Sequence, residues 1–119
     1  THDFAVISLS DRLTPWEKIE RRLDYAAQAD LSIVIYNPRS HGRPDNLKKA
    51  CDILLKTLPE NRPCGVVRNI GREGQQKFLL TLKELRDFEA DMFCTVFVGN
   101  AQTKIIGENL VTPRGYRDV

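Results

Sequence analysis

Residues 68–75, RNIGREGQ, set two glycines three apart among two arginines and a glutamate. Glycine reaches positive φ at no steric cost, so Gly71-Arg72-Glu73-Gly74 is a turn first. It becomes a ligand loop only if its surroundings add the chemistry. A phosphate loop of the GxxxxGK(S/T) kind needs a lysine for the phosphates and a hydroxyl for magnesium, and neither follows Gly74. A dinucleotide fingerprint needs GxGxxG between strand and helix, and its first glycine is missing. A second polar set lies in SLSDRLT, residues 8–14, where Ser8, Ser10, Asp11 and Thr14 put hydroxyls and a carboxylate between a strand-like run and a helix start. A Ser8, His2, Asp11 triad is excluded, because no GxSxG elbow or oxyanion loop accompanies it. No side chain declares itself as a catalytic base.

The competing ligand for the glycine pair is single-stranded nucleic acid. A KH domain clamps it with a GxxG loop, and NIGREGQQ fits that loop. A KH loop joins two helices, however, whereas Pro63-Cys64-Gly65-Val66-Val67 reads as a strand. The KH reading also leaves SLSDRLTPW and IYNPRS without a role.

The elements that must position these residues alternate along the chain. FAVISL (4–9) is a strand, and a helix follows with Thr14 as N-cap, Pro15 at its first position and Glu17 closing a Thr-x-x-Glu capping box. Trp16, Ile19, Leu23, Ala26 and Ala27 recur at helical spacing, and Asp30 falls just past the helix end. LSIVIY (31–36) is a strand apolar enough to be covered on both faces. NPRSHGRPD (37–45) is an exposed loop, in which His41 is solvated and Arg39 and Arg43 either are solvated too or bind carboxylates of a substrate. A second helix begins near Pro44 and carries Leu47, Ala50, Cys51, Leu54 and Leu58 on one stripe. CGVVRNI (64–70) is a strand, followed by a strand at 76–80, a short helix at 82–88 behind a Thr81-x-x-Glu84 box, and a strand at 91–99 ending in the polar loop GNAQT. The pattern predicts one α/β domain with a central mixed sheet of four to five strands flanked by helices.

Bulk properties narrow the function. The 119 residues suffice for one compact domain, and a net charge of +2, from 18 basic and 16 acidic residues mixed along the chain, leaves no footprint for nucleic acid or an anionic membrane. No apolar run approaches a membrane span, and no signal-peptide pattern is present. Cys51, Cys64 and Cys94 each sit in an apolar run with no CxxC or Cys/His pairing, which argues for buried thiols in a cytoplasmic protein and against a zinc site. The chain starts at Thr1 and enters a strand almost at once, as a piece of a longer protein would.

The chain resembles the C-terminal lobe of the tetrapyrrole methylase family. The likeness runs through HDF (2–4), ISLSDRLTPWE (7–17), IYNPRS (35–40), VRNIGREGQ (67–75), TLKEL (81–85), DMFCTVFVGNAQT (91–103) and VTPRGY (111–116), in the expected order. It implies an S-adenosylmethionine-dependent methyltransferase whose methyl donor lies folded between two lobes, with no metal required. Tyr36-Asn37-Pro38 matches the family's Tyr-Met-Gly strand end, and Asn69-Ile70-Gly71 its Asn-Gly-Thr turn, so Tyr36, Asn37, Asn69 and Ile70 become cofactor contacts by resemblance. Ser8, Ser10 and Asp11 become the loop that faces the tetrapyrrole and its carboxylate arms. The implied activity is methylation of C17 of precorrin-3B, or of its cobalt form, with ring contraction in cobalamin biosynthesis. The implied partners are an N-terminal lobe, the tetrapyrrole substrate and a second copy in a homodimer, with neither nucleic acid nor membrane. The isolated lobe, holding one wall of the trough, is expected to be inactive.

Overall fold

A computed structural model describes residues 4–10, 12, 14–38, 45–71, 73–106 and 109–111, without the side chains of residues 105–111. The main elements are β1 (Phe4–Ser8), α1 (Trp16–Gln28), β2 (Ser32–Tyr36), α2 (Asn46–Leu54), β3 (Pro63–Arg68), β4 (Gln76–Thr81), α3 (Leu82–Arg86) and β5 (Cys94–Val98). They form a five-stranded sheet in the order β1-β2-β5-β3-β4, with β1 and β2 parallel and every other pair antiparallel. β6 (Lys104–Ile106) and β7 (Asn109–Val111) make a separate two-stranded ribbon, with β7 against β3. The mixed sheet with helices is the architecture the alternating pattern calls for.

Register sorts the side chains. Ile35, Val96, Val66 and Phe78 share one row across the sheet. Ile33, Val98, Cys64 and Leu80 form the next row, with Ile7 and Leu9 of the first strand and its extension on the same face. These residues meet Ile19, Leu23 and Ala26 of α1, Leu47, Cys51 and Leu54 of α2, and Leu82 and Leu85 of α3 in one core. On the other face run Val6, Val34, Phe97, Gly65 and Leu79, and beside them Ser8, Tyr36, Thr95, Val67 and Lys77. Among the described residues no helix covers that second face, and Phe4 and Val6 are 64% and 59% exposed. The expectation that β2 is covered on both faces therefore fails. Its helix-side Ile33 and Ile35 are buried, while Val34 is half-buried and Tyr36 exposed.

Helix ends divide into those local sequence decides and those it does not. Thr81 accepts from the Glu84 N–H at 3.2 Å while the Glu84 carboxylate accepts from the Thr81 N–H at 2.8 Å, a complete capping box. α1 ends in a Schellman motif: Asp30 takes φ 57°, its N–H donates to Ala27 O, and the Leu31 N–H donates to Ala26 O. The start of α1 differs from expectation. Pro15, not Thr14, is the N-cap, with φ −58° and ψ 144° and no side-chain cap. The Thr14-x-x-Glu17 frame is thereby one residue out of step, because Pro15 O takes the first helical N–H groups from Lys18 and Ile19. β5 starts at Cys94 rather than 91, since Asp91 Oδ1 accepts from the Phe93 N–H at 2.9 Å and holds 91–93 in a turn. α3 stops at Arg86 and β3 at Arg68.

All three cysteines are free and buried. Burial pushes the Cys51 thiol up to about 12 and raises Cys64 as well.

Candidate functional site

β1, β2 and β3 run in the same direction, so their C-terminal ends reach the same edge of the sheet. Ligand crevices in open α/β sheets lie at such ends. Ser8 ends β1, Tyr36 ends β2, and Asn69 follows β3 directly. Strand β5 lies between β2 and β3: Thr95 is in register with Tyr36 on one side and Val67 on the other. Asn37 and Asn69 therefore flank the start of β5, roughly 10 Å apart at two strand spacings. The Asn69 N–H donates to Phe93 O at 3.1 Å, which ties the β3 end to the residue entering β5.

Both asparagines are in the left-handed region, Asn37 at φ 53° and Asn69 at φ 58°. Asparagine tolerates this conformation better than most residues, and it turns the backbone sharply at the end of a strand. At β2 the turn brings the Asn37 amide back to β1, where Asn37 Nδ2 donates to Ser8 Oγ at 3.1 Å. The Ser10 N–H donates to the same oxygen at 3.2 Å. With two donors filling its lone pairs, the Ser8 hydroxyl has its own hydrogen left to donate, and no acceptor takes it among the described residues. Asn46, at the start of α2 and 2% exposed, donates from Nδ2 to Leu9 O at 2.9 Å and so fixes the chain between Ser8 and Ser10.

Apolar groups complete this end. Tyr36 is 44% exposed, Ile70 and Phe93 51% each, and Met92 56%. Concentrated exposure of large apolar side chains beside amide and hydroxyl groups is the composition of a ligand slot, in which apolar walls hold a body and a few polar groups read its edges.

The glycine loop is the turn of the β3–β4 hairpin, because Arg68 pairs with Gln76 across it. Gly71 and Gly74 take φ 71° and 82°, and the Gly71 N–H donates to Gln75 Oε1 at 2.8 Å. A hairpin turn between two strands cannot be a KH loop between two helices, so that alternative is overturned. Arg68 turns back from the loop, ion-paired with Asp91 at 3.2 Å and packed against the Phe78 and Phe88 rings.

The structure thus brings Ser8, Ser10, Tyr36, Asn37, Asn69 and Ile70 to one edge of the sheet. Asp11 lies outside the described residues, as do His2, Arg39, His41, Arg43 and Arg72. Sequence reasoning missed Met92, Phe93 and Thr95, which it read only as strand, and Asn46. The Asx turn at Asp91 was a usable local signal for the exposed Met92-Phe93 pair. Nothing local announces that β5 enters between β2 and β3. Among the described residues no cluster of His, Cys, Asp and Glu suits a metal, and no helix is long and apolar enough to cross a membrane.

Comparison with known proteins gives this geometry a context. The family model described as Tetrapyrrole (Corrin/Porphyrin) Methylases matches residues 1–86. A probable cobalt-factor III C(17)-methyltransferase of Salmonella typhimurium is 47% identical over 116 residues, covering 97% of this chain and 48% of that protein. The crystal structure of the methyltransferase CobJ superposes with a TM-score of 0.85 at 36% identity, covering 94% of this chain and 47% of that one. Uroporphyrin-III C-methyl transferase from Thermus thermophilus, solved with S-adenyl homocysteine, gives 0.65 at 15% identity over 83% of this chain and 42% of that one, a likeness of fold. The chain spans about half the length of these proteins.

Proposed function

The chain belongs to the tetrapyrrole methylase family, and we propose that it is the C-terminal lobe of an S-adenosylmethionine-dependent enzyme that methylates C17 of precorrin-3B or its cobalt form, with ring contraction, in cobalamin biosynthesis. The observation that carries this reading is the convergence of Asn37 and Asn69 on either side of the β5 start, with exposed Tyr36, Ile70 and Phe93 beside them. The names of the Salmonella relative and of CobJ, and the ligand of the Thermus structure, supply the chemistry.

These residues fit an adenosine-bearing donor. Tyr36, Ile70 and Phe93 offer exposed apolar surface for a base and ribose, and the amides and turned backbone at Asn37 and Asn69 offer groups for their polar edges. In this sequence Asn37 and Ile70 replace the methionine and glycine usual in the family, so backbone groups carry the shared part of the contact. When bound, the sulfonium supplies an already activated methyl group, and the lobe's task is alignment and exclusion of water. Asn37 links the two halves of that task. The side chain beside the donor also holds Ser8, and the loop that follows Ser8 serves the tetrapyrrole side. The opposite wall of the trough comes from the N-terminal lobe, and the working protein is a cytoplasmic homodimer.

Calorimetric titration of the full-length protein with S-adenosylhomocysteine tests the reading, and saturable binding is expected. No heat at millimolar ligand would overturn it. Residues 1–119 alone should melt cooperatively yet transfer no methyl group, because half a trough leaves the donor solvated and misaligned.

A further inference from the structure

Beside Ser8 the chain opens a pocket of about 470 Å³ walled by Ser8, Ser10, Arg12, Thr14 and Arg22. Three half-buried hydroxyl-bearing residues form its floor and two exposed arginines its rim. We propose that this pocket is a carboxylate site that grips acidic arms of the tetrapyrrole substrate, with Arg12 and Arg22 as a charged clamp. The proposal rests on the methyltransferase reading and adds the residues that recognise the substrate's periphery.

Three observations support it. Arg62, Arg68 and Arg86 are each ion-paired, whereas Arg12 and Arg22 have neither an ion pair nor a hydrogen bond among the described residues. Two guanidiniums on one pocket, without a carboxylate partner among the described residues, favour an anion, and their planar forks match carboxylates in bidentate fashion. No carboxylate side chain is among the described residues lining the pocket. The acidic groups of α1, Glu17, Glu20 and Asp24, line a different hollow with Arg21 and Lys56. Finally, Ser8 belongs to this pocket and to the hydrogen bond with Asn37, so an arm held here places its ring next to the donor side of the site. Arg22 reaches the pocket from α1, two turns into the helix, and joins a loop that the sequence alone presents as hydroxyls and one acid.

The test uses the full-length protein with carboxylate-rich uroporphyrin and carboxylate-poorer coproporphyrin as probes, each titrated by fluorescence quenching. In parallel, S-adenosylhomocysteine is titrated by calorimetry. The double variant R12Q/R22Q should bind uroporphyrin about tenfold more weakly or worse, the loss expected when charge-assisted hydrogen bonds are removed. Coproporphyrin should lose less, and S-adenosylhomocysteine affinity should not move. R12K/R22K should recover part of the uroporphyrin affinity, since it restores charge without the fork. Unchanged uroporphyrin binding in R12Q/R22Q, or no uroporphyrin binding by the unaltered protein, overturns the proposal. Failure of S-adenosylhomocysteine to bind strikes the methyl-donor reading instead, and the arginine dependence of porphyrin binding still decides the pocket.

Discussion

The two ends of the sheet treat polar groups in opposite ways. At the end where β5 finishes and β3 begins, the polar groups of Asp30, Arg62, Asn100 and Thr103 are spent on the fold. Asp30 Oδ1 accepts from the Ala101 N–H at 2.9 Å and pairs with Arg62 at 3.4 Å, and Arg62 is 9% exposed. Asn100, 5% exposed, accepts from the Gln102 N–H, and Thr103 Oγ1 accepts from the Asn100 N–H, both at 2.9 Å. At the other end, Asn37 and Asn69 are half-buried, the Ser8 hydroxyl donates to no acceptor among the described residues, and large apolar side chains face outward. Asp30 shares its left-handed backbone with both asparagines. A positive φ is therefore no mark of a site. What separates the ends is whether the polar groups a turn presents are satisfied within the fold.

That contrast predicts that substitutions at the closed end cost stability while those at the open end cost affinity. The largest effect is expected at Gly99, where an added Cβ would lie 2.4 Å from Thr103 Cβ. Gly99→Ala should destabilise by about 1–3 kcal/mol through overpacking, read as a lower midpoint in thermal or urea unfolding. S-adenosylhomocysteine affinity should stay the same; a change in affinity without a change in stability would break the comparison.

At the open end, Asn37→Ala removes the tether to Ser8 and forces alanine into the left-handed region, at about 1–2 kcal/mol. Asn37→Gly removes the same tether without that strain. Glycine should accordingly be the more stable variant here, reversing its usual rank. Both variants should bind S-adenosylhomocysteine several-fold more weakly. Equal stability of the two would mean that the turn relaxes and that Asn37 does not impose its backbone geometry.

The smallest effect belongs to the helix layer, away from both ends. Arg86 hydrogen-bonds Asp52 and holds its carboxyl below the ordinary carboxylate range. A depressed folded pKa gives stability that is present above the unfolded value, about 3.9, and lost as pH falls through the folded one. Asp52→Asn should thus lower the melting midpoint slightly near neutrality and converge with the parent chain in acid. Because the pair is exposed and screened, the shift should shrink in high salt. Ligand binding should be untouched.

Much of the secondary structure was legible because its causes are local. Thr81 and Glu84 are three residues apart and cap α3 by themselves, Asp30 closes α1 through Ala26 and Ala27, and the apolar runs around Cys51, Cys64 and Cys94 bury those thiols. The Thr14 box failed for an equally local reason, since Pro15 took the cap one residue later. Asn37 and Asn69 could be placed at strand ends from their neighbours alone, and the family resemblance supplied their expected role.

The residues by themselves determined the α/β alternation, the glycine hairpin turn and the polar character of the loop after β1. Only the tertiary structure decided that β5 enters between β2 and β3, which puts Phe93 and Thr95 between the two asparagines. It also decided that Asn46 reaches back 37 residues to Leu9 O, and that Arg22 shares a pocket with Ser8. The reason is physical: caps, turns and periodicity depend on neighbours a few residues away, whereas strand order depends on which apolar faces bury one another across the whole chain.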